Sequence, residues 1–447
     1  MLQILSTSNE TSTGAELVQN GNFSEIGSDL VTNGDFSAEG INLVDNPNFT
    51  DTGSELITNG DFATDTDWVK EGLWEISGGS ANRVAEGVNS RFYQVGVVEA
   101  LKSYKLTFTI SAISAGAINQ VTLGGVGISG TWNTAETFTL YFTTVNTASC
   151  SITGDATFAG SIDNVSVKEL GADWTLGTGW SIGDSKAIST LQSGSKYLTQ
   201  SSVVESGKSY KVSFEVIDYT SGSVKATVSG DEGEARTGIG TYTEILNATG
   251  TSFSIKNQSG LFIGSVSNIS VQELGEGWAV QDGWSIGEDK AICDGSTNNA
   301  ISQALSLPVG NIKVTFKVED FTSGDLNLWL NLPTFTNPLQ ADANGDYEVY
   351  VTTTSGANNL YFYSVAFIGS VTNITVQELD PNGYWTIGTG WSIGADKAIS
   401  TVTGSNSDIT QSILTAGKTY RTVYEIVDYT AGTAQAIVTG SDGADAV

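Results

Sequence analysis

The chain has 447 residues, enough for roughly three or four domains, and carries 49 Asp and Glu against 19 Lys and Arg, a formal charge of −30. Docking onto a nucleic-acid backbone or an anionic lipid surface needs clustered cations, so this balance excludes both as partners. There is no histidine and there are only two cysteines; a disulfide framework and every Ser-His or Cys-His nucleophile pair are excluded with them.

Residues 1–15 are polar and read as a flexible or docked N-terminus. MLQILSTSNETSTG has no basic segment and no long apolar core, so it is not expected to act as a secretory signal. No run of 18 apolar residues occurs, and no transmembrane helix or membrane insertion is expected. Residues 16–54 hold a short repeat. ELVQNGNF, DLVTNGDF, NLVDNPNF and ELITNGDF end at Phe23, Phe36, Phe49 and Phe62, each 13 residues after the last. Leu-Val before Asn-Gly suggests a short strand running into a turn. Three of the four copies have no module body directly behind them, and short isolated strands are unstable in water. They must pack on one another, on sister chains or on a partner, which makes this region a candidate anchor and oligomerisation element of a homo-trimer. Duplication tolerated as an extended linker is the alternative.

From residue 55 a longer unit takes over. WTLGTGWSIGDSKA from Trp174, WAVQDGWSIGEDKA from Trp278 and WTIGTGWSIGADKA from Trp385 place two tryptophans six residues apart, and Trp68 and Trp74 keep that spacing. The second tryptophans, Trp74, Trp180, Trp284 and Trp391, are 106, 104 and 107 residues apart, a domain-sized period. Four modules follow: 55–170, 171–274, 275–379 and an incomplete 380–447, the last short of about 38 residues when matched to its neighbours. Alternation is clear in SYKLTFTI, where Tyr104, Leu106, Phe108 and Ile110 share a face. Helical signals are absent, and short alternating strands between Gly, Ser, Thr and Asn turns indicate an all-β chain of tandem antiparallel, jelly-roll-like sandwiches. Connections of three to five residues between modules predict a semi-rigid array.

The second tryptophan of each phrase is read as core. The first, Trp68, Trp174, Trp278 or Trp385, falls at a module junction and is left open, as core, as a sugar-stacking ring or as an inter-module contact. In DLNLWLNL the leucines share one face, so Asn327, Trp329 and Asn331 share the other, which suits a sugar platform or a subunit interface. The carboxylate pair Glu215 and Asp218 recurs as Glu425 and Asp428 and reads as solvated scaffold charge. No catalytic residue, metal ligand or cofactor is assigned, and no enzymatic activity is expected.

ELITNGDF, Trp68 and SIDNVSVKEL give the first module a resemblance to the β-sandwich carbohydrate-binding modules found beside xylanases. The array with its GWSIG phrases resembles the fibres and appendages of tailed bacteriophages. In the former family an acidic residue after the first-strand Phe and an Asp in the last strand hold a structural calcium. Here Asp163 matches the latter, but Ala63 follows Phe62, and Ser267 and Thr372 replace the Asp in the next two modules, so none is expected. The resemblance implies a structural virion protein, a fibre or spike whose N-terminal region docks on other virion proteins and whose shaft reaches a host-surface glycan. A bacterial secreted or cell-surface carbohydrate-binding protein, or the accessory region of a polysaccharide-degrading enzyme, is the alternative; a capsid decoration protein is a third.

Overall fold

The computed structural model describes residues 3–6, 15–190, 194–332, 334–353, 359–401, 406–418 and 420–437; most of the N-terminus expected to be flexible, and the end of module four, lie outside that set. Every regular element among the described residues is a strand. The alternation read from SYKLTFTI is realised, since Tyr104, Leu106, Phe108 and Ile110 are buried while Lys105, Thr107 and Thr109 are not.

Module one is a sandwich. One sheet orders Val126–Trp132, Ile118–Leu123, Cys150–Gly154, Ser90–Gln94 and Val69–Lys70; the other orders Thr137–Thr143, Ser103–Ala115, Ala159–Leu170, Ser80–Arg83 and Trp74–Ser77. Modules two and three keep this plan but fuse the layers, because single long strands serve both. Ser209–Val228 pairs with Phe253–Leu274, and Gly310–Leu332 with Asn359–Leu379, with register shifts where the strands turn the corner. Gly324 sits at one such corner with φ of 80° and a Cβ position 2.1 Å from the Ala366 carbonyl oxygen, a close approach that only glycine allows.

The N-terminal repeats overturn the expected domain boundaries. The chain divides into two compact units, Glu39–Leu274 and Met1–Ala38 with Gly275–Val447, so the repeats are shared between module cores and do not stand apart. Thr52–Glu55 pairs antiparallel with the closing strand of module one, Ala159–Leu170. Glu39–Asn42 pairs with the closing strand of module two, and Ile26–Asp29 with that of module three. Behind each strand an apolar side chain and the repeat phenylalanine enter the core: Ile57 and Phe62 in module one, Val44 and Phe49 in module two. In module four Val18 is buried in the core and Phe23, half-buried, packs against it. The repeats therefore complete the modules in reverse order, the first serving the fourth. Isolated strands of four residues cannot hold together in water, and a ready-made sheet edge with an open core supplies what they lack. The apolar side chains expected to carry trimer assembly are inside the chain's own modules.

Each repeat ends in a tight turn. Asn20, Asn33, Asn46 and Asn59 adopt φ of 47° to 55°, and the four phenylalanines φ of 52° to 57°. The Phe N–H closes on the Asn carbonyl at 3.1 to 3.3 Å. Asparagine tolerates this left-handed geometry; phenylalanine does so at a cost that burial of its ring offsets. Between them, Gly60 presses on the closing strand: a Cβ there would lie 2.0 Å from the Val165 carbonyl oxygen, and Gly34 is placed likewise against Ile374. The third repeat has Pro47 at this point and shows the consequence. The bond from Ile269 N–H to the Pro47 carbonyl is 3.2 Å, against 2.9 Å at Gly34 and Gly60. Trp174 Nε1 is buried without a partner among the described residues, whereas its counterparts donate to the repeat Asn carbonyl at 3.0 to 3.1 Å. The segment can thus shift to admit a Cβ, so Gly60→Ala should cost about 1–2 kcal/mol in denaturant unfolding of module one, at the lower end of overpacking effects.

The first tryptophans are not inter-module contacts. Within the unit Glu39–Leu274, the junction is made by the second phrase: Ile182 N–H donates to Ser103 Oγ at 2.9 Å, and Gly183 packs on the Tyr141 ring. Gly394 packs on Tyr350 in the same way in the other unit. In module four, Thr386–Ile387 pairs with Ile409–Thr410, Trp391–Gly394 with Lys397–Ser400, and Tyr420–Val423 with Gln3–Ser6.

Candidate functional site

Strand alternation puts Leu326, Leu328 and Leu330 into the core of module three, and they are fully buried. Asn327 and Trp329 take the opposite face. On the paired strand Leu360 and Phe362 point inward, which turns Tyr361 and Tyr363 outward beside them. In register, Trp329 faces Tyr361 and Asn327 faces Tyr363. The Trp329 and Tyr363 rings are parallel within 8°, their centroids 4.3 Å apart. Gln340 lies beyond Asn327 and Ser302 beyond Tyr361. The face is thus a half-buried aromatic cluster with a hydroxyl and an amide at its margins. Asn327, expected to flank Trp329 on the open face, is buried, and its side chain hydrogen-bonds that of Asn337 at 2.8 Å. The side chain of Asn331 lies outside those described. The tyrosines were missed, although the alternation in NLYFYSV carries the same signal as that in DLNLWLNL.

The corresponding face differs in each module. In module two it is a groove of about 530 Å³ lined by Tyr197, Thr199, Thr227 and Ser254 among others. Lys225 and Lys256 both engage Glu232 there, which holds that carboxyl below its ordinary range, and Lys256 lies 5.6 Å from the Tyr197 ring centre. In module one the face carries Arg91 over Tyr93 at 4.9 Å, paired with Glu71. The scaffold is shared and these faces vary.

The other candidates have structural roles. Trp68, Trp174, Trp278 and Trp385 are buried, and each meets one repeat phenylalanine, respectively Phe62, Phe49, Phe36 and Phe23, at ring-centre distances of 5.2 to 5.4 Å. Asp218 accepts from Ser265 and pairs with Lys186 at 3.0 Å; both interactions pull its carboxyl below the usual value. Lys290 with Asp320 and Lys397 with Asp428 repeat that pair. Exposed pairs of this kind contribute little energy, and Glu215 meets Asn268. Asp163 accepts from the N–H of Asn164, while Ser267 and Thr372 donate to the carbonyls of Ser185 and Asp289. Among the described residues no group of three acidic, His or Cys side chains is arranged to hold a metal. Cys150 and Cys293 are buried thiols, and burial pushes that of Cys150 up to about 12.

No protein family model and no curated protein matches the chain. Among solved structures, the N-terminal CBM22-1–CBM22-2 tandem domain of Paenibacillus barcinonensis Xyn10C is similar over 50% of this chain and 99% of its own, at 11% identity and a TM-score of 0.24. A structure of Sulfolobus turreted icosahedral virus aligns over 69% of this chain and 91% of its own, at 10% identity and a TM-score of 0.16. A triple jelly roll from an archaeal virus aligns over 70% and 89%, at 9% identity and a TM-score of 0.15.

Proposed function

We propose that this chain is a structural, glycan-binding protein displayed on an extracellular particle, a bacteriophage fibre or comparable appendage, in which the sandwich modules present binding faces toward host-surface glycans. The observation that carries the binding role is the parallel Trp329 and Tyr363 pair with Tyr361 beside it. Sugars offer C–H faces to stack on aromatic rings and hydroxyls to meet polar groups, and an aromatic cluster edged by Gln340 and Ser302 has both. The composition is consistent with a neutral polar ligand, since only 15% of the chain is charged. The modules are long-lived scaffolds on this reading, each closed by its own N-terminal segment, with specificity held on the variable face.

The test is a glycan array followed by titration calorimetry on the wild-type chain and on Trp329→Ala. Removal of a stacking tryptophan should weaken binding about tenfold or more. Absence of any glycan ligand for the wild type, or an unchanged affinity in the variant, would remove module three as the binding face.

A further inference from the structure

The segment that completes each module is held as a ligand is held. A glutamine reads its main chain from both sides. Gln303 accepts from the Thr32 N–H at 2.9 Å and donates to the Thr32 carbonyl at 2.9 Å. Gln94 does the same to Thr58, Gln200 to Asp45 and Gln411 to Gln19. Three residue types, Thr, Asp and Gln, occupy the four clamped positions, so the clamp reads backbone and not a particular side chain. Side-chain selection lies on either side of it. Asp29 Oδ1 accepts from Val31 N–H within the segment and from Val376 N–H of the module, at 3.0 and 2.9 Å; Glu55 and Asn42 act alike in their modules. Downstream, Asn33 takes the left-handed turn, its carbonyl accepts from Trp278, and Phe36 fills the pocket beside that indole.

We propose that modules two, three and four each carry a peptide-recognition slot for the motif acidic or amide residue, Leu, Val, any residue, Asn, Gly or Pro, any residue, Phe, and that the N-terminal segment of a second copy of this chain can fill it. The contacts lie either within the segment or between segment and module and are the same whichever chain donates the segment, the condition under which exchange of an element costs little. Covalent attachment gives weak protection against exchange. The first repeat reaches its module across a separation of 360 residues, as in the bond from Asn20 to Asp380, so the connection runs through folded modules and is not a short tether that holds the segment at its slot. Module one is different: Phe62 and Trp68 are neighbours in sequence, so its slot stays filled by its own chain.

The full-length chain carrying Phe36→Ala is titrated with a fluorescent synthetic peptide of residues 27–38, GSDLVTNGDFSA. Saturable binding is expected, with at least about a hundredfold weaker binding to the wild-type chain, whose slot is filled, and about a hundredfold loss when the peptide itself carries Phe36→Ala. If module three is unfolded in the variant, the peptide should restore hydrogen-exchange protection to residues 275–379. Neither binding nor restored protection would overturn the slot as a recognition site. For the second-copy donor, isotope-light and isotope-heavy wild-type chains are unfolded together and refolded at high concentration. Mixed-mass oligomers that Phe36→Ala and Phe49→Ala diminish are expected, and only unmixed monomers would overturn exchange between copies.

Discussion

Phe49→Ala is expected to destabilise a domain that begins more than a hundred residues later in the sequence. The Phe49 ring is almost fully buried in the core of module two, against Trp174, in a cluster that also contains Leu198, Phe253 and Ile269. Removing a buried phenylalanine costs about 3–5 kcal/mol through lost transfer energy and the cavity left behind. Relaxation is restricted here, because the residue holds a φ of 55° between a paired strand and a hydrogen-bonded turn. Alanine would carry the same left-handed strain as phenylalanine but without the buried ring that offsets it. Hydrogen exchange resolved by peptide should show protection lost across residues 171–274, with residues 55–170 unchanged. If residues 16–54 instead formed a separate anchor, the same substitution would leave module two untouched and alter only association, and that outcome would reject the docking described above.

The modules were legible because they are built from local regularities. The tryptophan phrase, the alternation of SYKLTFTI and the Gly, Asn and Thr turns each report on residues close in sequence, and strand periodicity alone places Leu326, Leu328 and Leu330 inside. What pairs with what was not legible for the repeats. DLVTNGDF announces a strand and a turn, but nothing within it says that its sheet edge belongs to residues 359–379. The choice between neighbouring chain, partner and distant module is made by tertiary contacts. A usable signal did exist: the paired first tryptophan and the glutamine of FYQ, LTQ, SQ and TQ recur in every module, as do Phe and Asn in every repeat. Equal numbers of repeats and modules fit one repeat to each module. The candidate binding face was half legible. Trp329 lies half-buried on the face opposite the leucines, whereas Asn327 is buried and hydrogen-bonds to Asn337 of a neighbouring strand.

Gln200→Leu is expected to release the third repeat from module two while leaving its apolar contacts in place. The amide is 4% exposed and spans 2.9 Å from Asp45 N–H and 3.0 Å to the Asp45 carbonyl. Leucine of similar size removes both partners and strands a backbone donor and an acceptor, each costing about 1–3 kcal/mol when left unmet. Because the Asp45 side is open to solvent, water recovers part of this, and a loss of about 2–4 kcal/mol is expected in denaturant unfolding. Gln200→Glu distinguishes the two bonds. Its carboxylate still accepts from the N–H but faces the carbonyl with a second acceptor, so it should be no better than leucine despite keeping the polar group. The decisive comparison is with Phe49→Ala. Both changes act by undocking one segment, and once the segment has left, the second substitution has nothing more to remove. The double variant should therefore be less destabilised than the sum of the single variants, by a coupling of about 1–3 kcal/mol. Strict additivity would mean that the glutamine and the phenylalanine stabilise module two independently, and that the repeat does not dock as a unit.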